Sequence, residues 1–389
     1  YADLSVEDDL SGDKTDIDLE SSLSSDLYWS LRRRSDQWST RLRISTGYVN
    51  DFLPDTDSDD GGDPDPAALK ERALACEDAA RAIPGITNSE GAGASAGRTI
   101  FGLATSHGFA GAKSASGYGL STAVLAGDGD HKERDYDYRS ARHEGDLDAP
   151  EAIGKRAGER AVKRLNPELV KSGAMPVVLD PRVGSSLVGH FIGAIAGSSI
   201  ARRTSFLLEE LGNQLFDSKL SIIDDPLRQR GISSRVFDGE GLPTAKSALI
   251  DKGVVTGWLM DSASARQLDL KPTGHASRGV SGAPGVSASN VHLEGGSGSV
   301  AELIADIDEG VYIHELAGQG VNMVTGDYSR GAAGFRIEDG EITGAISEFT
   351  VAGNLKDMFA EMRGADDLEF IYGTNVPTLR IDGMTVAGA

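Results

Sequence analysis

The segment that most constrains this chain runs from Gly318 to Phe335, reading Gly-Gln-Gly-Val-Asn-Met-Val-Thr-Gly-Asp-Tyr-Ser-Arg-Gly-Ala-Ala-Gly-Phe. Glycine recurs at 318, 320, 326, 331 and 334. Glycine loses more conformational freedom on folding than any other residue, so this density marks turns or places where another backbone comes close. Groups able to bind a ligand sit between the glycines: Gln319, Asn322, Asp327, Tyr328, Ser329 and Arg330. An apolar, strand-like stretch (Val311, Ile313, Leu316) leads in, and a hairpin leads out. Two readings are open: a binding surface, or a tightly turned β-meander whose polar groups only brace its turns.

Elsewhere the patterning switches between helical and strand periods. Residues 66–82 read as a helix, with proline at the start, Leu69, Leu74, Ala75 and Ala79 at helical spacing, and Pro84-Gly85 to stop it. Residues 87–130 change to strands, at 98–105, 108–112 and 118–126, forming an antiparallel meander that first turns at Ser106-His107-Gly108. An amphipathic helix follows over 151–165. A short buried strand over 176–180 leads into a helical but interrupted region, 182–211. Hairpins are expected at Asp251-Lys-Gly253 and Asp339-Gly340, helices over 262–268, 299–309 and 355–362, and final strands over 369–372, 378–381 and 384–386. The Gly/Ser/Pro-rich loop from Pro272 to Ser289 is long enough to suggest a functional role. The fold class is α+β, with mixed and antiparallel sheets, helices and several domains. At 389 residues and 39% hydrophobic, the chain has material for two or three cores.

Residues 1–66 are irregular: acids alternate with Leu, Val and Ile over 3–20, a strand fits 38–44, and 55–65 is an acidic Gly/Pro linker. The formal net charge of −22 repels phosphate backbones, so direct binding of nucleic acid is not expected. A single cysteine, Cys76, excludes an internal disulfide and a cysteine-rich zinc site, and fits a reducing cytoplasm. The longest apolar run, 187–201, is short for a membrane span and contains His190, so it reads as a buried helix. The first residues lack the basic and apolar regions of a secretory leader, and a chain starting at Tyr1 is expected to have lost its natural beginning.

Several chemical motifs fall short. Gly93-Ala-Ser95-Ala-Gly97 matches G-x-S-x-G, but a nucleophile elbow needs a strand before it and a helix after it, and here a strand follows; it reads as a loop. His314-Glu315 and His143-Glu144 lack the second histidine of a zinc helix and read as surface pairs. His131, Glu133 and Asp135 would share one strand face and could hold a cation, although charges alternating in sign usually mark a solvated strand. Gly189, Gly193 and Gly197 fall at i, i+4 and i+8, a smooth helix stripe where another backbone is expected to pack. His190 beside it reads as a core histidine.

Together, Asn88-Ser-Glu-Gly-Ala, Leu103-Ala-Thr-Ser-His-Gly-Phe109, Glu133-Arg-Asp-Tyr-Asp-Tyr138, Phe237-Asp-Gly-Glu-Gly241, Ser264-Ala-Arg-Gln-Leu268, Thr273-Gly-His-Ala276, the 326–335 segment and Ala352-Gly-Asn-Leu-Lys-Asp357 carry a resemblance. From about Pro66 onward the chain resembles the PmbA (TldE) branch of the TldD/PmbA family, cytoplasmic metallopeptidases often labelled modulators of DNA gyrase. The resemblance implies a region of that family's α+β kind over 67–172 and its carboxy-terminal metallopeptidase-type domain over 173–389, after the irregular segment 1–66. It also implies a heterodimer. A TldD-type partner carries zinc on H-E-x-x-x-H plus a later cysteine, and the PmbA/TldE subunit completes a chamber for unfolded peptides. Setting Leu187 to Ala194 against that motif puts Gly189 and Ala194 in place of the histidines and His190 in place of the general-base glutamate; the late cysteine is absent. By this resemblance the chain has no catalytic residue and no metal of its own, zinc belonging to the partner. Gln319, Asn322, Asp327, Tyr328 and Arg330, with His275 and Asn354, are the candidates for binding substrate or partner. Two alternatives stay open: an autonomous metallopeptidase using an unrecognised site such as His131, Glu133 and Asp135, or a non-catalytic homodimeric peptide-binding module. Neither membrane association nor direct action on DNA or gyrase is expected.

Overall fold

Three amino-terminal strands, β1 (Leu4–Asp9), β2 (Asp26–Arg32) and β3 (Ser39–Ser45), pair antiparallel in the order β1-β3-β2. In this computed structural model the described residues are 53–129, 131–279 and 282–388, together with the backbone of those strands. The strand expected over 38–44 corresponds to β3, whereas most of the acidic–apolar alternation over 3–20 lies outside the described residues. The acidic stretch before the first helix has no regular structure, as its composition implies, but it is strapped down. Asp60 accepts hydrogen bonds from the Tyr118 hydroxyl at 2.8 Å and the Glu144 N–H at 3.0 Å. Asp59 pairs with Arg98 at 2.7 Å and Asp57 with Arg230 at 2.6 Å, so the strap touches both halves of the protein.

The central region comprises α1 (Pro66–Arg81), β4 (Ile86–Ala104), β5 (Ala110–Ala126), β6 (Glu133–Ala141) and α2 (Pro150–Lys163). Pro66 opens α1, and the Asp65 carboxylate caps it by accepting from the Ala67 N–H. The strands form an antiparallel meander in the order β4-β5-β6. The expected breaks within it are absent: 108–112 and 118–126 are one strand, and the Gly93–Gly97 segment lies inside β4 rather than in a loop. Pairing from Ile86↔Ala126 to Ala104↔Ala110, with two bulges between Ile86 and Gly91, overrides the local turn signal of the glycines. Both helices cover this sheet, burying Ala80, Val124, Ala126, Ala157 and Ala161 together. They approach closely because α2 carries Gly154 and Gly158 at i and i+4. A Cβ on Gly154 would overlap the Cys76 carbonyl oxygen, and one on Gly158 would sit 2.7 Å from Ile83 Cγ1.

The carboxy-terminal half begins with β7 (Gly173–Leu179), α3 (Pro181–Ala194) and α4 (Gly197–Ala201). It continues through β8 (Ser221–Asp224), β9 (Ser247–Asp251), β10 (Val254–Val255), α5 (Ser262–Leu268), β11 (Ala276–Ser277), β12 (Gly285–Val286) and β13 (Val291–Glu294). After α6 (Val300–Ile304) come β14 (Glu309–Ala317), β15 (Asp327–Glu338), β16 (Glu341–Asn354), α7 (Leu355–Ala360), β17 (Met362–Gly364), β18 (Thr374–Asn375) and β19 (Leu379–Ala387). Two sheets dominate: a six-stranded mixed sheet, β16-β15-β14-β7-β19-β17, and a five-stranded one, β10-β9-β8-β13-β18. In the larger, β7 and β14 run parallel, and β16 also pairs with β19, which curls the sheet. The expected hairpins at Asp251–Gly253 and Asp339–Gly340 are present. Residues 369–372 do not form the expected strand; the Asn375 side chain accepts from the Ile371 and Tyr372 N–H groups and turns the chain there.

Helix α3 lies in the main core through Leu187, Val188, Phe191 and Ala194, with Phe191 meeting the rings of Phe216 and Phe359 edge-on at 5.7 and 6.3 Å. The expected glycine stripe does not hold. Gly189 faces open space, Gly193 would place a Cβ 3.5 Å from Met323 Cε, and only Gly197, already on α4, is tightly enclosed. No helix among the described residues is long and apolar enough to cross a membrane.

Replacing Gly154 by Ala therefore costs about 1–3 kcal/mol through overpacking, whereas Gly189→Ala is neutral or stabilises by up to about 1 kcal/mol, because it improves helix propensity in open space. Urea denaturation of the two variants checks this; equal effects would contradict the packing described.

Candidate functional site

Helix α3 starts where it does because Pro181 follows Asp180, whose carboxylate accepts from the Arg182 N–H at 2.9 Å. With one face in the core, the other presents Gly189 and Gly193 outward and His190 toward β15. The His190 ring meets the Tyr328 ring edge-on at 6.1 Å. Its Nε2 is buried with no partner among the described residues, and burial, then the charge of Arg330, lowers its pKa. Tyr328 and Arg330 alternate along β15 and so share the face turned to α3. Burial pushes the Tyr328 hydroxyl up to about 12. Among the described residues the Arg330 guanidinium makes only long hydrogen bonds, to the Leu316 and Ala317 carbonyls at 3.4 and 3.5 Å. Sequence reasoning named His190, Tyr328 and Arg330 for different reasons; the fold brings them together.

The remaining candidates stand apart from that cluster. Asp327 points to the opposite face of β15, accepting from Thr325 Oγ1 at 2.6 Å and Asn354 Nδ2 at 3.4 Å. Asn354 caps α7, accepting from the Lys356 N–H at 3.1 Å. Asn322 closes its own turn by accepting from the N–H groups of Val324 and Thr325. Gln319 is exposed on the loop above. His275 is buried elsewhere, with Nε2 3.0 Å from Asp224 and Nδ1 2.8 Å from Thr273 Oγ1. The geometry of Asn322, Asp327, Asn354 and His275 is that of turn and core braces.

Beside the cluster, a cleft of about 270 Å³ opens where α3, β14 and β15 meet the central region. Asp135, on the inward face of β6, receives a hydrogen bond from Arg182 Nη1 at 3.0 Å. Arg164 reaches Glu315 at 2.5 Å and Glu133 at 3.2 Å. Burial raises the Asp135 pKa, but the charge and hydrogen bond of Arg182 outweigh it, and the net shift is downward. The proposed cation triad therefore does not form. His131 is exposed before the strand begins, while Glu133 and Asp135 are taken up by guanidinium groups. Nor is this a solvated strand, because arginines from α2 and α3 neutralise its buried acids. Among the described residues, no three His, Cys, Asp or Glu side chains converge to hold a metal ion.

His314 is the cleft residue whose environment was missed. Read as part of a surface pair, it is instead buried, its ring 5.1 Å from that of Phe335. A register shift between Ile313 and Glu315 lets His314 and its neighbour both line the cleft; such a bulge leaves no mark in the sequence. Its Nε2 lies 3.6 Å from Asp135 Oδ2, beyond hydrogen-bonding distance. Burial, then the charge of Arg164, pushes its pKa down to about 3, so the ring is neutral at pH 7 and the two do not form an ion pair.

Comparison with known proteins follows the same division of the chain. Residues 59–165 match the model of the PmbA/TldA metallopeptidase central domain, and residues 172–388 that of the PmbA/TldA metallopeptidase C-terminal domain. The chain is 37% identical over 339 residues to the metalloprotease PmbA of Escherichia coli O157:H7, covering 86% of this chain and 73% of that protein. A putative modulator of DNA gyrase from Bacteroides thetaiotaomicron superposes with a TM-score of 0.76 at 26% identity, covering 94% of this chain and 88% of that one. TldE from Thermococcus kodakarensis superposes with a TM-score of 0.75 at 23% identity, over 84% and 75% of the two chains, a likeness of fold.

The buried histidine makes stability depend on pH. Unfolded, His314 takes up a proton near pH 6.5; folded, it resists until about pH 3. Its contribution is thus complete above pH 6.5 and is lost as pH falls from 6.5 toward 3, by up to about 1.4 kcal/mol per pH unit. His190 and His292, also lowered chiefly by burial, act with the same sign. Between pH 7 and 5 the parent chain is expected to lose roughly 1–2 kcal/mol more than His314→Leu. Identical pH profiles in denaturation would remove His314 as the cause.

Proposed function

The chain belongs to the PmbA/TldD family of metallopeptidases, and we propose that it is a subunit of the kind that positions peptide while a TldD-type partner holds the zinc. The carrying observation is the pair of positions on α3 set against the family's histidines. At the positions where the family resemblance places metal ligands, Gly189 is bare and exposed and Ala194 is buried in the core, so neither offers a donor atom. A catalytic zinc takes three protein ligands and a water, and His190 is one side chain facing Tyr328. Glu133 and Asp135 cannot substitute without releasing buried arginines. The residues present do not fit zinc, and no step is assigned to a metal in this chain.

What remains is a surface suited to holding an extended chain. Arg330 offers a little-engaged guanidinium beside α3, on the same strand face as the buried ring of Tyr328, and Gln319 lies on the exposed loop above. Because β15 is paired on both sides, by β14 and β16, a peptide here would be held by side chains such as Arg330 rather than by strand addition. One of the proteins with this fold is named TldE, which supports a two-subunit setting. The acidic surface disfavours DNA as ligand. Cys76 is buried, chiefly by which its thiol is pushed up to about 11; an inert reduced thiol of this kind supports a cytoplasmic location.

Mixing the chain with a TldD-type subunit and an unfolded peptide tests this reading. Neither the chain alone nor an Arg330→Ala variant alone cleaves. The mixture cleaves, and Arg330→Ala lowers its rate roughly tenfold, the worth of one charge-assisted hydrogen bond, without preventing the complex from forming. Chelator-sensitive cleavage by the isolated chain would overturn the proposal. Binding without cleavage in the mixture would favour a purely binding module, and an unchanged rate would remove Arg330 from the site.

A further inference from the structure

Four buried side-chain atoms without a hydrogen-bond partner among the described residues gather in the domain-junction cleft: Asp135 Oδ2, Arg182 Nε and both ring nitrogens of His314. Asp135 is 1% exposed and His314 7%. Buried polar atoms are nearly always hydrogen-bonded, and each unmet one is costly. Such a concentration calls for a ligand that both accepts and donates.

The charges narrow its chemistry. Three guanidinium groups, of Arg164, Arg182 and Arg330, line the cleft; Arg164 pairs with Glu315 and Glu133, and Arg182 with Asp135 beside Asp180, which among the described residues leaves Arg330 without a carboxylate. Arg164 and Arg182 already hold carboxylates, whereas Arg330 touches only backbone carbonyls at long range. An anion is therefore favoured at Arg330. A phosphate dianion would meet both acids and offer Asp135 Oδ2 no donor, and an ammonium group would meet Arg330. A carboxylate with an amide N–H a few bonds away satisfies both sides.

We propose that this cleft receives the carboxylate end of a peptide chain. The carboxylate accepts from Arg330 and from Arg182 Nε–H, the last peptide N–H donates to Asp135 Oδ2, and His314, neutral, supplies one donor and one acceptor. At about 270 Å³ the cleft lies just below the ~300–1,000 Å³ of small-molecule sites, room for a terminal residue rather than a whole ligand. Tyr136, which lines the cleft, stacks on Tyr138 at 6.2 Å, and Tyr138 meets Tyr372 at 5.2 Å. Tyr136 and Tyr138 are 39% and 38% exposed, an aromatic ledge for the side chains preceding the terminus.

The inference rests on the proposed function only in taking a peptide as ligand. Its readout is binding by the isolated chain, not cleavage by a mixture, so the two fail separately. The probe is a fluorescent, unstructured ten-residue peptide ending in tyrosine, prepared as free acid and as amide and followed by anisotropy. The free acid is expected to bind at least tenfold tighter. Arg330→Gln abolishes that preference and Arg330→Lys keeps part of it; a thermal melt of each variant verifies folding. Tyr138→Ser weakens both peptides alike. N-acetyl-tyrosine competes only weakly, because it lacks the ledge contacts. Equal binding of acid and amide, or a preference that survives Arg330→Gln, overturns the proposal; competition by N-acetyl-tyrosine as strong as by the peptide overturns the peptide as the source of the carboxylate.

Discussion

The pairing of Arg182 with Asp135 is the interaction on which the rest of the site depends. Arg182 stands in the first turn of α3, and Asp135 on the inner face of β6, so one buried ion pair joins the two halves of the protein. Burial opposes charging both groups, yet each finds enough in the other that the carboxylate shifts down and the guanidinium up. Removing one partner of such a pair leaves an uncompensated buried charge, typically 3–5 kcal/mol. Asp180 ties the same turn to β14, capping α3 with one oxygen while the other accepts from the Tyr312 hydroxyl at 3.1 Å. The start of α3 is thereby fixed against both β6 and β14, and the cleft walls follow.

Much of this was legible in the sequence wherever the signal is local. Proline at the start of α1, the amphipathic period of α2 and the Asp339–Gly340 turn each report on a few neighbouring residues. The failures are non-local. The glycines of β4 and β5 look like turns until the partner strand is known. Close helix packing was expected at Gly189, but α1 lies against Gly154 and Gly158; which glycine meets a neighbour depends on where that neighbour folds. The arginines that neutralise Asp135 and Asp137 come from α2 and α3, so a run resembling a metal triad or a solvated strand becomes the buried wall of a junction. His314 reaches the cleft only through a bulge.

The candidate site divides in the same way. Tyr328 and Arg330 were legible only as polar groups between glycines; the strand then sets both on the face turned to α3. Asn322, Asp327 and Asn354 come from the same glycine-rich neighbourhood, yet their hydrogen bonds close turns and cap a helix. Polar residues among glycines fall into both classes, and only the placement of α3 separates them. Helix α3 itself has an ordinary apolar core face, and its outer face carries Gly189, Gly193 and His190.

The most direct test is the zinc content of the purified chain, measured by native mass spectrometry before and after assembly with a TldD-type subunit. The account predicts no stoichiometric zinc on the isolated chain and a zinc-bearing assembly once the partner is added. Near one zinc per isolated chain, retained through dialysis and released by chelator, would contradict it and require a metal site built from residues other than those of α3.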